Sequence, residues 1–222
     1  MFPLHDDQAR HSRPLVVLLL IAINVMVFLH EMQLDPYSRN FFITHYALFA
    51  DKLSLLTLVT STFLHGGWLH IIGNMVFLWA FGRSLEDAMG SAKFLLFYLA
   101  CGVASGLVQV LFHAGSHVPT VGASGAIAGV MGAYLIKFPR ARILTLVFLF
   151  VFITRVEVPA LFFLPYWFLT QVFNGVGSVE YTPLTDGGTA WWAHIGGFIA
   201  GMVLVTLMGT QRMYAARRPV RW

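Results

Sequence analysis

Six long apolar stretches dominate the chain, at about 14–30, 64–82, 94–112, 121–138, 156–174 and 191–209. Each approaches the ~17–25 residues that a helix needs to cross a bilayer. Two further apolar pieces, 53–64 and 143–154, have only 12 residues each. That length favours an interfacial or re-entrant segment over a span. No long linker, low-complexity stretch or internal repeat divides the chain. The pattern therefore predicts an all-α polytopic membrane protein of six spans. One membrane domain covers 14–211, between a polar tail at 1–13 and a basic tail at 212–222.

Composition agrees. Of 222 residues, 58% are hydrophobic and 11% charged, where a soluble domain carries about 25% charged. The mean hydropathy is +0.73. Lipid is the solvent such a surface requires. The net charge of +4 is then read by position, not as a nucleic-acid signal. With the N-terminus in the cytosol, twelve Lys and Arg fall on the cytosolic side, and Arg39 and Lys52 alone lie outside. That bias favours six spans, N-in and C-in. Crossing at 143–154 would carry Arg155 and the four tail arginines outside. The first apolar stretch has no small-residue cleavage site after it and reads as a retained anchor. Cys101 is the lone cysteine, so neither an internal disulfide nor a cysteine-based metal site is available. Short tails suit a bacterial cytoplasmic membrane.

Polar residues within spans are costly and call for a reason. Span two carries His70 and Asn74, span four Ser124 and span six His194. Ser124 precedes Lys137, and His70 precedes Arg83, by 13 residues. At 1.5 Å per residue each lies about 20 Å above the cytosolic boundary, or about 10 Å below the outer surface of a ~30 Å core. His194 falls at a similar or shallower level. His70 and Asn74, four residues apart, share a helix face. Small residues accompany the reactive ones: Gly122, Gly125, Ala128, Gly129 and Gly132 in span four, Gly196, Gly197, Ala200 and Gly201 in span six. Such stripes let membrane helices approach backbone to backbone, which brings a short serine within reach of a histidine. A neutral imidazole can then take the serine proton during attack on a carbonyl. The Ser124 N–H, His70 and Asn74 are available donors for the oxyanion. No Asp or Glu lies in the outer half of these spans, so the expectation is a Ser–His dyad.

Taken singly, these residues have plainer roles. The GASG stretch is a packing face, Asn74 is interhelical glue, and His70 is a satisfied core histidine. His65 sits in a Gly-Gly turn. His113 and His117 have metal-compatible spacing but flank an outer Gly/Pro loop. A transporter would spread polar groups, acids included, through the bilayer. A metalloprotease would need H-E-x-x-H, and His30-Glu31 has no such continuation.

The segment His65-Gly66-Gly67-Trp68-Leu69-His70-Ile71-Ile72-Gly73-Asn74 is similar to the second-helix motif of the rhomboid family of intramembrane serine proteases. Gly122-Ala123-Ser124-Gly125 resembles its G-x-S-G motif, and Ala193-His194-Ile195-Gly196-Gly197 through Gly201 its A-H-x-x-G-x-x-x-G motif. Arg83-Ser84-Leu85-Glu86-Asp87 is similar to a further family pattern. The resemblance covers about 56–209. It implies a six-helix rhomboid-like bundle with the short fourth helix surrounded, and a partly embedded first loop at 31–63. It implies Ser124 as nucleophile and His194 as base, with His70 and Asn74 at the oxyanion site. Transmembrane protein segments are the implied substrates, cut near the outer face, with no cofactor or metal. Two departures stand out. The first loop lacks the Trp-Arg pair of many members, and Ala128 replaces an aromatic residue that stacks on the histidine in some. A non-catalytic relative that binds or escorts membrane proteins is the alternative.

Overall fold

The computed structural model describes residues 2–149, 152–181 and 190–209. The basic tail expected at 212–222 lies outside them. After strand β1 (Phe2–Asp6) come helices α1 (Leu15–Gln33), α2 (Pro36–Tyr46) and α3 (Leu55–Thr60). Helix α4 (Trp68–Phe77) runs through a π-helical stretch, Leu78–Gly82, into α5 (Arg83–Met89). Then follow α6 (Ser91–Phe112), α7 (Ser124–Lys137), strands β2 (Arg142–Leu149) and β3 (Phe152–Pro159), and helices α8 (Ala160–Tyr181) and α9 (Trp191–Met208).

Among the described residues three helices, α1, α6 and α9, are long and apolar enough to cross a membrane. The pair Leu55–Phe63 and Trp68–Met89 passes the same criterion together, bent by 94° between its halves. The outer faces fit lipid. On α9 the exposed residues Ile199, Val203 and Leu207 form an i, i+4, i+8 stripe, while His194, Gly197, Gly201 and Val205 are buried. Helix α7 is the inner element: every residue from Gly125 to Tyr134 is buried. It has only 14 residues. It starts at Ser124 because Gly122, at φ 125°, turns the chain in a conformation that glycine alone tolerates well. Gly90, at φ 82°, ends α5 and donates its N–H to the Glu86 carbonyl at 2.7 Å.

The expectation of an all-α fold needs correction. The molecule is mostly helical, but β1, β2 and β3 form a three-stranded antiparallel sheet in that order. The short apolar piece at 143–154 lies in the β2–β3 hairpin. It is rich in Ile, Val, Phe and Thr, which suit a pleated surface. Beyond it Arg155 and Glu157 alternate with Val156 and Val158, a period of two. Arg142 reaches Glu157 at 3.2 Å across the ladder. For the same reason the fifth apolar stretch becomes helical only at Ala160, not at 156: its first residues complete β3.

The N-terminal segment is strapped to the turn Arg83–Met89, all of it buried. Glu86 accepts the N–H groups of Val16 and Val17 at 2.9 and 2.8 Å, capping α1, whose first amides have no intrahelical partner. It also accepts the Ser91 hydroxyl at 2.6 Å. Asp87 accepts His11 N–H at 3.1 Å and the Ser12 hydroxyl. Buried Asp6 accepts Ser84 Oγ at 2.5 Å and the Tyr134 hydroxyl, on α7, at 2.7 Å. Asp6→Ala strands both hydroxyls. Each stranded polar group costs ~1–3 kcal/mol, so a loss of about 2–6 kcal/mol is expected, read as a lowered unfolding midpoint in detergent. A midpoint equal to the native one would show that these bonds contribute nothing net.

Candidate active site

The site begins where α7 and α9 touch. A Cβ added at Gly197 would overlap the Gly125 carbonyl, and one at Gly201 the Gly129 carbonyl. One at Gly132 would overlap the Phe198 carbonyl. The two backbones therefore meet with no side chain between them, as the small-residue stripes suggest. Toward α6 the glycines of α7 make room for small side chains. A Cβ at Gly125 would overlap Ser105, and one at Gly129 would stand 2.5 Å from Cys101.

This close approach sets Ser124, at the first turn of α7, against His194, near the start of α9. His194 Nε2 lies 2.8 Å from Ser124 Oγ. His194 is buried. Its Nδ1 lies 2.8 Å from Gln171 Oε1 on α8. Two indoles flank the ring: Trp167 tilted at 5.8 Å between centroids and Trp191 edge-on at 6.1 Å. The start of α9 is itself held by α6, where buried Gln109 accepts the Ala193 N–H at 3.1 Å.

Donors gather on the other side of Ser124. A Cβ at Gly122 would stand 2.7 Å from Cε1 and Nε2 of His70 and 3.7 Å from Asn74 Nδ2. Both side chains of α4 therefore lie over Gly122, two residues before Ser124. His70 Nδ1 accepts the Gly66 N–H at 3.4 Å, so the ring proton resides on Nε2, the nitrogen facing Gly122. Asn74 Nδ2 lies 3.0 Å from His65 Nε2 and donates to it, which leaves its second N–H free. The first ladder bond of α7 runs from Ile127 N–H to Ala123 O at 3.0 Å. The Ser124 N–H precedes that ladder, as helix-start amides do. A pocket of about 20 Å³, with Ser61, Ser105, Thr120, Gly122 and Ala193 in its wall, opens beside Ser124. That space suffices for one water.

The structure thus brings together Ser124, His194, His70 and Asn74, with Gly122, Gly125, Gly129, Gly197 and Gly201 at the contacts that permit it. It keeps the outer histidines apart from them: His117 pairs with Asp51 at 2.9 Å. No cluster of three His, Cys, Asp or Glu fit for a metal occurs among the described residues. Sequence reasoning missed Gln171, whose Oε1 lies beside His194 Nδ1. It also missed that His65 bonds Asn74. The available signal for Gln171 was its chemistry: an amide in an apolar span needs a partner.

The Rhomboid domain family matches residues 52–211. A Rattus norvegicus protein named presenilin-associated rhomboid-like protein, mitochondrial, is 33% identical over 218 residues, 90% of this chain and 50% of the relative. Rhomboid protein 1, mitochondrial, of Saccharomyces cerevisiae is 34% identical over 144 residues, 62% of this chain and 40% of the relative. Rhomboid protease GluP of Bacillus subtilis is 34% identical over 132 residues, 57% of this chain and 25% of the relative. The chain spans about half the length of these curated relatives, or less. With a family match over most of its length and membrane-spanning helices around the paired serine and histidine, this integral membrane chain belongs to the rhomboid family.

Proposed function

We propose that the protein is an intramembrane serine endopeptidase that cleaves transmembrane segments of other membrane proteins near the outer face of the bilayer. The observation that carries this reading is the 2.8 Å contact between Ser124 Oγ and His194 Nε2. His194 Nε2 takes the hydroxyl proton as Ser124 Oγ attacks the scissile carbonyl. The oxyanion accepts hydrogen bonds from the Ser124 N–H, His70 Nε2–H and Asn74 Nδ2–H. As the C–N bond breaks, His194 returns the proton to the leaving amine. Water then hydrolyses the acyl-enzyme, and a pocket of that size lies beside Ser124. The bundle has six spans with both termini on the cytosolic side, in keeping with the distribution of Lys and Arg. We propose a bacterial cytoplasmic membrane as its location, with the site opening to the extracytoplasmic side.

The test is covalent labelling and cleavage. Native protein in vesicles should react with a fluorophosphonate probe and cut a reporter transmembrane segment at a single bond, identified by product sequencing. Absence of both from folded protein would leave a non-catalytic, client-binding relative. Asn74→Ala, which removes one donor, should lower kcat by about 10²–10³-fold with little change in KM. An unchanged kcat would place Asn74 outside the oxyanion site.

A further inference from the structure

A base that must accept a proton on Nε2 must carry its own proton on Nδ1, and the surroundings of His194 decide which nitrogen that is. On α8 the Trp167 carbonyl accepts the Thr170 hydroxyl at 2.6 Å and Gln171 Nε2 at 3.0 Å. A carbonyl can only accept, so it selects the amide nitrogen of Gln171 and turns Oε1 the other way. Thr170 Oγ1, its proton already given to Trp167, accepts from Gln171 Nε2 at 2.9 Å and reinforces the choice. Oε1 then faces His194 Nδ1 at 2.8 Å. Two bare acceptors do not pair, so Nδ1 bears the proton. That leaves the Nε2 lone pair for Ser124.

We propose that Gln171 is a positioning residue that fixes the tautomer and ring orientation of His194. Gln171 is buried, and the relay from the Trp167 carbonyl to Ser124 has every proton assigned. In position Gln171 corresponds to the third group of a hydrolase triad; in chemistry it differs, because a neutral amide orients the imidazole without adding charge. No carboxylate among the described residues bonds His194. The helix supplying this group, α8, is neither that of the nucleophile nor that of the base. The proposal rests on the protease reading above.

The experiment begins with native protein and Ser124→Ala in vesicles. If cleavage does not depend on Ser124, the protease reading fails and this proposal with it. If it does, Gln171→Met removes the acceptor at nearly constant volume. The expected result is a fall in kcat of about 10–10²-fold, with KM within about threefold of native. Ring ¹⁵N resonances of His194, identified by their loss in His194→Ala, should report Nδ1–H in the native protein and a substantial Nε2–H population in Gln171→Met. Gln171→Glu, which keeps an oxygen acceptor, should restore Nδ1–H and part of kcat. A purely structural role for Gln171 would not move the tautomer. Native-like kcat with Nδ1–H retained in Gln171→Met would overturn the positioning role alone. Should Gln171→Met not fold, the native tautomer decides, and Nε2–H there would overturn it as well.

Discussion

Ser124→Ala and His194→Ala are each expected to lower kcat/KM for a reporter transmembrane segment by about 10⁴–10⁶-fold, and the double variant should be no worse than either single one. The reason lies in the shared proton. Without His194 the Ser124 hydroxyl has no acceptor at Nε2; without Ser124 the base has nothing to deprotonate. Losses in such a unit are not additive. The two variants differ in stability. The one hydrogen-bond partner of Ser124 Oγ among the described residues is His194, and alanine is well tolerated in a first helical turn. Ser124→Ala should therefore melt close to native. His194→Ala empties a buried ring site and strands Gln171 Oε1, so it should also lose about 1–3 kcal/mol of stability, seen as a lower midpoint. Steady-state cleavage in vesicles and thermal melts in detergent read both. Ser124→Ala cleaving within tenfold of native would refute the mechanism.

Gly201→Val should abolish function by a different route, through the helix contact and not the chemistry. A Cβ at residue 201 meets the backbone carbonyl of Gly129. Backbone cannot swing aside as a flexible side chain can, so α9 must move away from α7. In lipid no hydrophobic force restores the pair, because the tails are as apolar as the residues they replace. A loss of about 3 kcal/mol or more is expected, at or above the upper range for overpacking, with cleavage falling alongside as the 2.8 Å contact opens. Gly177→Ala, at a glycine of α8 with nothing within 4 Å of an added Cβ, is the control and should be near neutral. Native-like stability in Gly201→Val would mean that α7 and α9 do not depend on this contact.

What the sequence discloses is what local composition controls. The apolar runs locate the helices, and α1, α6 and α9 lie close to where hydropathy puts them. The glycines of spans four and six announce a close crossing, because in that setting small size has few other uses. Gln171 escapes notice because its meaning depends on rotation about α8, which turns the amide toward His194 instead of lipid. Nothing in the local sequence sets that angle. The sheet is missed for a related reason. Residues 143–154 read as a short apolar piece, and strand pairing with Phe2–Asp6, well over a hundred residues away, is not a local property. Ala128 marks the lack of a stacking aromatic residue, and nothing beside it in the sequence points to Gln171.

The cap on α1 has a consequence for synthesis. The amides of Val16 and Val17 wait for a carboxylate about 70 residues downstream, at Glu86. At translation rates of about 5–20 residues per second, that is a delay of about 4–14 s. During it the start of the first helix has only water or lipid headgroups to bond. Strand β1 waits longer still for β2. Strand β1 and the start of α1 are thus made before their partners yet are among the last segments to settle.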